Sequence, residues 1–134
     1  MKNHLNYIIV DDDPTNNMIC NMSLRRALGE VQAKTFTDPE EGLRYIRNNF
    51  NINSDRTILF LDLNMPTITG WQFLEQYENF SEEVKTRIRI YILSSSIDRH
   101  DWDKSKKNKN VNGFLVKPMY PETILSIDRQ KFIA

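Results

Sequence analysis

Five short apolar runs recur at regular intervals along the chain, and the stretches between them are long enough for helices. The runs cover residues 5–10, 31–36, 57–61, 88–93 and 113–116. The first, third and fourth runs are nearly continuous in apolar residues, which is typical of strands buried on both faces of a parallel sheet. The spacing therefore predicts five strands, each followed by a helix.

The intervening segments carry recognisable helix boundaries. Pro14 suits a first helical turn and Gly29 suits the end of that helix, while Asp38 and Pro39 form a cap and a first position for the next. The predicted helices cover residues 14–28, 38–48, 70–80, 98–109 and 121–132, and residues 81–87 are expected to add a short helical turn. Strict alternation of five strands and five helices predicts an α/β fold with a doubly wound, five-stranded parallel sheet.

Composition excludes several functional classes. The 134 residues are expected to form a single domain, 1–134, and the 18 basic and 18 acidic residues cancel, so no global field attracts nucleic acid or an anionic membrane. One cysteine excludes an internal disulfide, and two histidines are too few for most zinc sites. The chain has neither a signal peptide nor an apolar stretch of membrane-spanning length, which predicts a cytoplasmic protein.

Polar residues follow four of the five predicted strands, at the carboxyl ends where ligands bind in such sheets. They are Asp11, Asp12 and Asp13 after the first strand, Asp62 after the third, Ser94 after the fourth and Lys117 after the fifth. Adjacent carboxylates repel one another, and a hard divalent cation such as Mg²⁺ would offset that repulsion. A lysine and a hydroxyl nearby suit a phosphate, so a carboxylate acting as nucleophile would yield an acyl phosphate.

As a set, these motifs resemble the receiver domain of two-component response regulators. The resemblance rests on the Asp11–Asp12 pair, on LDLNMPTITGW around Asp62, on Ser94 after YIL, and on Lys117–Pro118. It extends from about residue 5 to about residue 132. It implies a flavodoxin-like sheet with strand order 2-1-3-4-5, and we expect a stand-alone receiver with no output domain after the last helix.

The resemblance also implies a role for each matching residue. Asp62 would accept the phosphoryl group, Asp11, Asp12 and Asp62 would bind Mg²⁺ with the backbone carbonyl of Asn64, and Lys117 would pair with the phosphoryl group. Ser94 would move toward that group, and Phe114 would act as the aromatic switch residue. The Lys117–Pro118 bond is expected to be cis. The partner implied is a histidine kinase or histidine phosphotransfer protein, with an unknown downstream protein target and slow autophosphatase activity.

Two features of the first helix have competing interpretations. Asp13 either caps the helix or adds a third carboxylate to the metal site, and capping is favoured because aspartate is a strong cap before a proline. Cys20 and Leu24 lie on the predicted core face, whereas Met18 and Met22 fall nearly opposite. The methionines either form a docking surface for the phosphotransfer partner or are ordinary exposed residues.

The polar residues 98–109 offer little apolar surface for dimerisation, which predicts a monomer.

Two other functions compete with a phosphorylated receiver. DDDPT matches the D-x-D-x-T pattern of haloacid-dehalogenase-type phosphohydrolases, with Asp11 as nucleophile and Asp13 as acid/base. That class needs a further acidic cluster after the lysine, where this chain has only Glu122 and Asp128 on a helix, and it leaves Asp62 without a role. A pseudo-receiver that is never phosphorylated is also disfavoured, because no functional residue is missing.

Overall fold

Strands and helices alternate along the chain as the apolar runs predict. The computed structural model describes residues 5–31, 33–49 and 56–130, and it does not describe the side chains of residues 49 and 128–130. In chain order the elements are β1 (Leu5–Val10), α1 (Pro14–Leu28), β2 (Lys34–Phe36), α2 (Pro39–Asn49), β3 (Arg56–Asp62), α3 (Gly70–Tyr77), α4 (Glu82–Lys85), β4 (Ile88–Ser94), α5 (Arg99–Lys107), β5 (Val111–Val116) and α6 (Pro121–Gln130).

The five strands form one parallel sheet in the order β2-β1-β3-β4-β5, which confirms the predicted topology. The strand order reverses between β1 and β3, because the chain first winds outward to β2 and then returns past β1. Ligands of open α/β sheets bind at such a reversal, beyond the carboxyl ends of the strands. The residues that follow β1 and β3 are therefore the ones best placed to form a site.

Side chains of the central strands alternate between two hydrophobic layers. In β1, Ile8 and Val10 join the layer covered by α2, α3 and α4. Tyr7 and Ile9 of the same strand join the layer covered by α1 and α6. Because both faces of the central strands are covered, these strands show continuous apolar runs, and the sheet is doubly wound as predicted.

The starts of two strands differ from the prediction. The second strand begins at Lys34 instead of residue 31, because the chain turns after Gly29, which has a φ of 88°, and Val31 donates its N–H to the Gly29 carbonyl. The fifth strand begins earlier, at Val111, since Asn112 Oδ1 accepts a hydrogen bond from the Ile90 N–H beside a register shift.

The predicted count of five helices is wrong, since the described residues form six. The extra helix is α4, four residues long, in the segment expected to add a short turn. Its N-cap, Ser81, accepts a hydrogen bond from the N–H of Val84, and Val84 is buried against the core. One anchored apolar residue and one cap are enough to hold a single helical turn. The last two residues of the predicted final helix lie outside the described residues.

Gly70 allows α3 to begin directly beneath the end of β3. A Cβ at this position would lie 2.7 Å from the backbone oxygen of Asp62 and 2.9 Å from Cδ2 of Leu63. The Gly70 N–H also donates to the Leu63 carbonyl at 2.8 Å. This close approach fixes the loop that leaves Asp62.

We expect Gly70→Ala to destabilise the protein, because backbone atoms at 2.7 Å cannot move aside as a flexible side chain would. Overpacking of this kind costs about 1–3 kcal/mol, measurable by urea denaturation. Thr67→Ala, in the exposed part of the same loop, is the matched control and should change stability by less than about 0.5 kcal/mol. Equal stability of the two variants would contradict the close packing at Gly70.

Candidate functional site

Three carboxylates meet at the carboxyl ends of β1 and β3, the two strands that flank the reversal. Asp11, Asp12 and Asp62 each place a carboxylate oxygen within 4.8 Å of the others. Asp11 and Asp62 are buried and Asp12 is partly buried. The sheet brings them together because β1 and β3 pair in parallel, with Val10 opposite Leu61.

Lys117 bridges the two buried carboxylates. Its Nζ lies 2.9 Å from Asp11 Oδ2 and donates a hydrogen bond to Asp62 Oδ1 at 3.0 Å. The lysine follows β5, and its backbone N–H donates to the Ser94 carbonyl at the end of β4. The Lys117–Pro118 peptide bond is cis, as expected. One ammonium group therefore offsets part of the negative charge of two buried carboxylates that strand pairing brings close together.

The environment of Asp62 favours its neutral form more than water would. Burial, and next the negative charge of Asp11, raise the pKa of Asp62 to about 6. The hydrogen bond and charge of Lys117, with a backbone hydrogen bond from Asn64, act in the opposite direction. Burial would lower the pKa of Lys117, but its contacts with Asp11 and Asp62 outweigh burial and raise it. The lysine is therefore charged at neutral pH.

The donor set fits a hard divalent cation. Asp11 Oδ2 is buried and is paired, among the described residues, with the Lys117 ammonium at 2.9 Å. A buried carboxylate oxygen with spare lone pairs, beside two more carboxylates, is a ligand set that suits Mg²⁺. The same cleft is lined by Asn64, the residue expected to add a carbonyl.

Asp13 lies outside this cluster. It is the N-cap of α1, and its Oδ1 accepts a hydrogen bond from the Thr15 N–H at 2.9 Å. The capping interpretation is therefore confirmed. An exposed capping aspartate is poorly placed for the acid/base role that a haloacid-dehalogenase-type site would require.

Residues 7–127 match the family model of the response regulator receiver domain. The chain belongs to the response regulator receiver domain family. No curated protein sequence matches this receiver significantly.

Solved structures agree with the family assignment. A two-component response regulator from Cytophaga hutchinsonii has a TM-score of 0.86 at 19% identity, covering 96% of this chain and 97% of its own. A response regulator receiver protein from Dyadobacter fermentans has a TM-score of 0.86 at 26% identity, covering 98% and 100%. A putative response regulator from Chloroflexus aurantiacus has a TM-score of 0.76 at 24% identity, covering 96% and 97%. The first and third comparisons bear on the fold alone.

Two further receiver positions lie on β4 and β5, outside the residues that line the cleft. Ser94 is buried, and its hydroxyl donates to the Ser96 carbonyl at 2.8 Å within its own loop. Phe114 is partly buried and packs against the core layer of α2 and α3. Ser95, the neighbour of Ser94, lines the cleft instead. The assigned roles of Ser94 and Phe114 as moving parts stay predictions.

The α1 surface divides as its sequence pattern predicts. Cys20 and Leu24 are buried, while Met18 and Met22 are 58% and 49% exposed. Ile19 is also exposed, so three apolar side chains lie together on the outer side of one helix.

None of the helices in the described part of the receiver is long and apolar enough to cross a membrane.

Sequence reasoning missed the contacts that hold α5. Trp102 packs edge-on against Phe114 with ring centroids 5.8 Å apart, and Trp71 Nε1 donates to Asp101 Oδ1 at 3.1 Å. Lys104 Nζ lies 4.8 Å from the centroid of the Trp71 ring. The one available signal was a lone tryptophan in an otherwise polar segment, because a polar helix needs at least one apolar anchor.

The raised pKa of Asp62 predicts the pH dependence of one substitution. The folded pKa of about 6 exceeds the ordinary aspartate pKa of 3.8, so folding favours the protonated carboxyl, and the fold bears the cost of an ionised Asp62 above about pH 6. Asp62→Asn should therefore stabilise the metal-free protein at pH 7.5 by about 1–3 kcal/mol, since one pKa unit corresponds to about 1.4 kcal/mol.

That stabilisation should shrink as the pH falls below about 6, because the folded wild-type protein then takes up a proton at Asp62 and no longer buries that negative charge. Urea denaturation in EDTA at pH 7.5 and pH 4.5 measures it. Asp103→Asn, at an exposed position on α5, is the matched control for the loss of one negative charge outside the site. A benefit of Asp62→Asn that grew as the pH was lowered would contradict the assigned environment.

Proposed function

We propose that this receiver accepts a phosphoryl group on Asp62, in the presence of Mg²⁺, from a histidine kinase or a histidine phosphotransfer protein. The observation that carries the proposal is the arrangement of Asp62 beside Asp11, Asp12 and the Lys117 ammonium. A carboxylate that must react with an anionic donor needs positive charge around it. Lys117 supplies one positive charge, and the three carboxylates provide ligands for a metal cation that would supply more.

The reaction is a single phosphoryl transfer. An Asp62 carboxylate oxygen attacks the phosphorus of the phosphohistidine, the P–N bond breaks as a P–O bond forms, and the imidazole leaves. The product is an acyl phosphate on Asp62 and a free histidine on the donor. Attack by water on the same phosphorus later returns the carboxylate and releases inorganic phosphate, which is the slow autophosphatase activity of the proposal.

Each residue of the cleft has a defined task in this reaction. Lys117 exchanges its hydrogen bond with the Asp62 carboxylate for one with the transferred phosphoryl group, where its charge offsets the added negative charge. Asp11, Asp12 and Asp62, with the backbone carbonyl of Asn64, would hold Mg²⁺. When bound, the ion supplies charge neutralisation for the phosphoryl oxygens. At pH 7 most Asp62 is ionised, because its pKa is about 6.

Phosphorylation is then transmitted by Ser94 and Phe114. The Ser94 hydroxyl leaves its bond to the Ser96 carbonyl and donates to a phosphoryl oxygen, a charge-assisted bond that is stronger than the one it replaces. The space vacated near Ser94 admits the Phe114 ring. Because Trp102 packs on that ring, the movement reaches α5 and alters the surface offered to a downstream protein.

The partner surface proposed for phosphotransfer is the exposed face of α1. Met18, Ile19 and Met22 give it an adaptable apolar character. We place the exchange in the cytoplasm, with the receiver acting as a monomer that binds its kinase and its target in turn. A cancelled net charge gives no reason to expect nucleic acid as a partner.

Incubation with acetyl phosphate and MgCl₂ should add one phosphoryl group per chain, visible by intact mass. Asp62→Asn should show no adduct, because the nucleophile is gone, and EDTA should abolish the adduct in the unchanged protein. An unmodified wild-type protein would favour the pseudo-receiver, which binds partners without phosphorylation.

Asp13→Asn is the matched control for this experiment. Asparagine preserves the helix cap, and the residue lies outside the carboxylate cluster, so phosphorylation should be retained. A phosphohydrolase using Asp13 as acid/base would instead lose its activity in this variant. It would also continue to release phosphate in Asp62→Asn, which would contradict the proposed function.

Tryptophan fluorescence should report the movement of Phe114. In a Trp71→Phe background the emission comes from Trp102, whose ring lies against Phe114. Addition of acetyl phosphate and MgCl₂ should change the intensity or wavelength of that emission, and Asp62→Asn should abolish the change. An unchanged emission in fully phosphorylated protein would contradict coupling through Phe114 and Trp102.

A further inference from the structure

Asn17 is a polar residue enclosed on the core face of α1. It is 5% exposed and shares the buried side of the helix with Cys20 and Leu24. Its Nδ2 donates a hydrogen bond of 2.9 Å to the backbone carbonyl of Asp11. Because that carbonyl can only accept, the bond also fixes which end of the Asn17 amide faces the site.

The other end of the same amide has no hydrogen-bond partner. Asn17 Oδ1 is buried and accepts no hydrogen bond from the described residues. A buried unsatisfied oxygen destabilises a fold, and an apolar residue would fill this position without that penalty. Core packing therefore does not explain an asparagine at position 17, whereas its bond to Asp11 does.

That bond completes the restraint of Asp11 on three sides. The Asp11 N–H donates to the Phe36 carbonyl at 3.0 Å, which ties the residue to the end of β2. Asp11 Oδ1 accepts from the Asp13 N–H at 2.9 Å, which sets the rotation of the carboxylate. Asn17 holds the remaining polar group of the backbone. Oδ2 is then directed toward Lys117 and the carboxylate cluster.

The restraint also reaches Asp12. The Asp11 carbonyl belongs to the planar peptide unit that joins Asp11 to Asp12, so holding its oxygen fixes the orientation of that whole plane. Asp12 is only partly buried, and its carboxylate position depends on the backbone that carries it. A single side-chain bond from α1 therefore orients both members of the acidic pair.

We infer that Asn17 is a positioning residue for the cation site, acting through the Asp11 carbonyl to hold Asp11 and Asp12 in ligating position. The inference rests on the proposed function in one respect, that the acidic cluster binds Mg²⁺. It adds a residue that touches neither the ion nor the phosphoryl group. Such outer partners orient ligands, and their loss weakens metal affinity about 10- to 100-fold.

Calorimetric titration with MgCl₂ tests this role without any phosphoryl transfer. Asn17→Ala and Asn17→Leu both remove the donated hydrogen bond, and both should raise the Kd for Mg²⁺ at least about tenfold. Urea denaturation in EDTA is measured on the same samples. Each variant also removes the unsatisfied Oδ1, and this gain offsets part of the loss of the hydrogen bond. The free energy of unfolding should therefore change less than the free energy of Mg²⁺ binding. If the leucine variant fails to fold, the smaller alanine variant carries the test.

Asn21→Ala is the matched control, four residues further along α1. Asn21 likewise bonds the backbone through its side chain, but as an acceptor: its Oδ1 accepts from the Ala33 N–H at 3.3 Å, at the opposite end of β2 from the carboxylates. This variant should leave the Kd for Mg²⁺ unchanged. If wild-type protein binds Mg²⁺ and folded Asn17→Ala binds it with the same Kd, the role of Asn17 is overturned while the proposed metal site stands. Absence of Mg²⁺ binding by wild-type protein would overturn the proposed metal site as well.

Discussion

The contacts of one lysine with two buried carboxylates are the interaction on which the rest of the site depends. Asp11 and Asp62 are almost fully enclosed, and without a cation between them burial and mutual repulsion would strongly disfavour their ionised forms. Lys117 relieves only part of this cost, which is why the pKa of Asp62 remains raised. The remaining imbalance favours a ligand that brings positive charge to the carboxylates, which is the physical basis of the proposed Mg²⁺ site.

The doubly wound sheet assembles these charges from distant parts of the sequence. Parallel pairing brings the ends of β1, β3 and β5 to one edge, and the Lys117 N–H joins that edge to β4. Close packing at Gly70 fixes the loop after Asp62, and Asn17 restrains the peptide after Asp11. The scaffold is therefore rigid around the carboxylates. The polar helix α5 is joined to β5 by the packing of Trp102 on Phe114, and the Trp71–Asp101 hydrogen bond ties it to α3.

The apolar runs predicted a parallel, doubly wound sheet and the edge at which the polar residues of β1, β3 and β5 meet, whereas the strand order came from the resemblance to receiver domains. This worked because central parallel strands are buried on both faces and their polar residues are confined to the ends. Asn17 escaped notice because an asparagine on a helix has no periodic signature, and its meaning depends on which carbonyl it reaches. The short β2 and the contacts of Trp102 were missed for a related reason, since tertiary neighbours decide them instead of local pattern.

Reductive trapping of the phosphorylated residue tests the central claim most directly. Borohydride converts an aspartyl phosphate to homoserine, and peptide mass mapping then locates the changed residue in protein treated with acetyl phosphate and MgCl₂. We expect homoserine at position 62 and nowhere else, with none in protein treated in EDTA. Homoserine at position 11, or a stable phosphate on a serine of the cleft, would contradict the assignment of Asp62 as the phosphoacceptor.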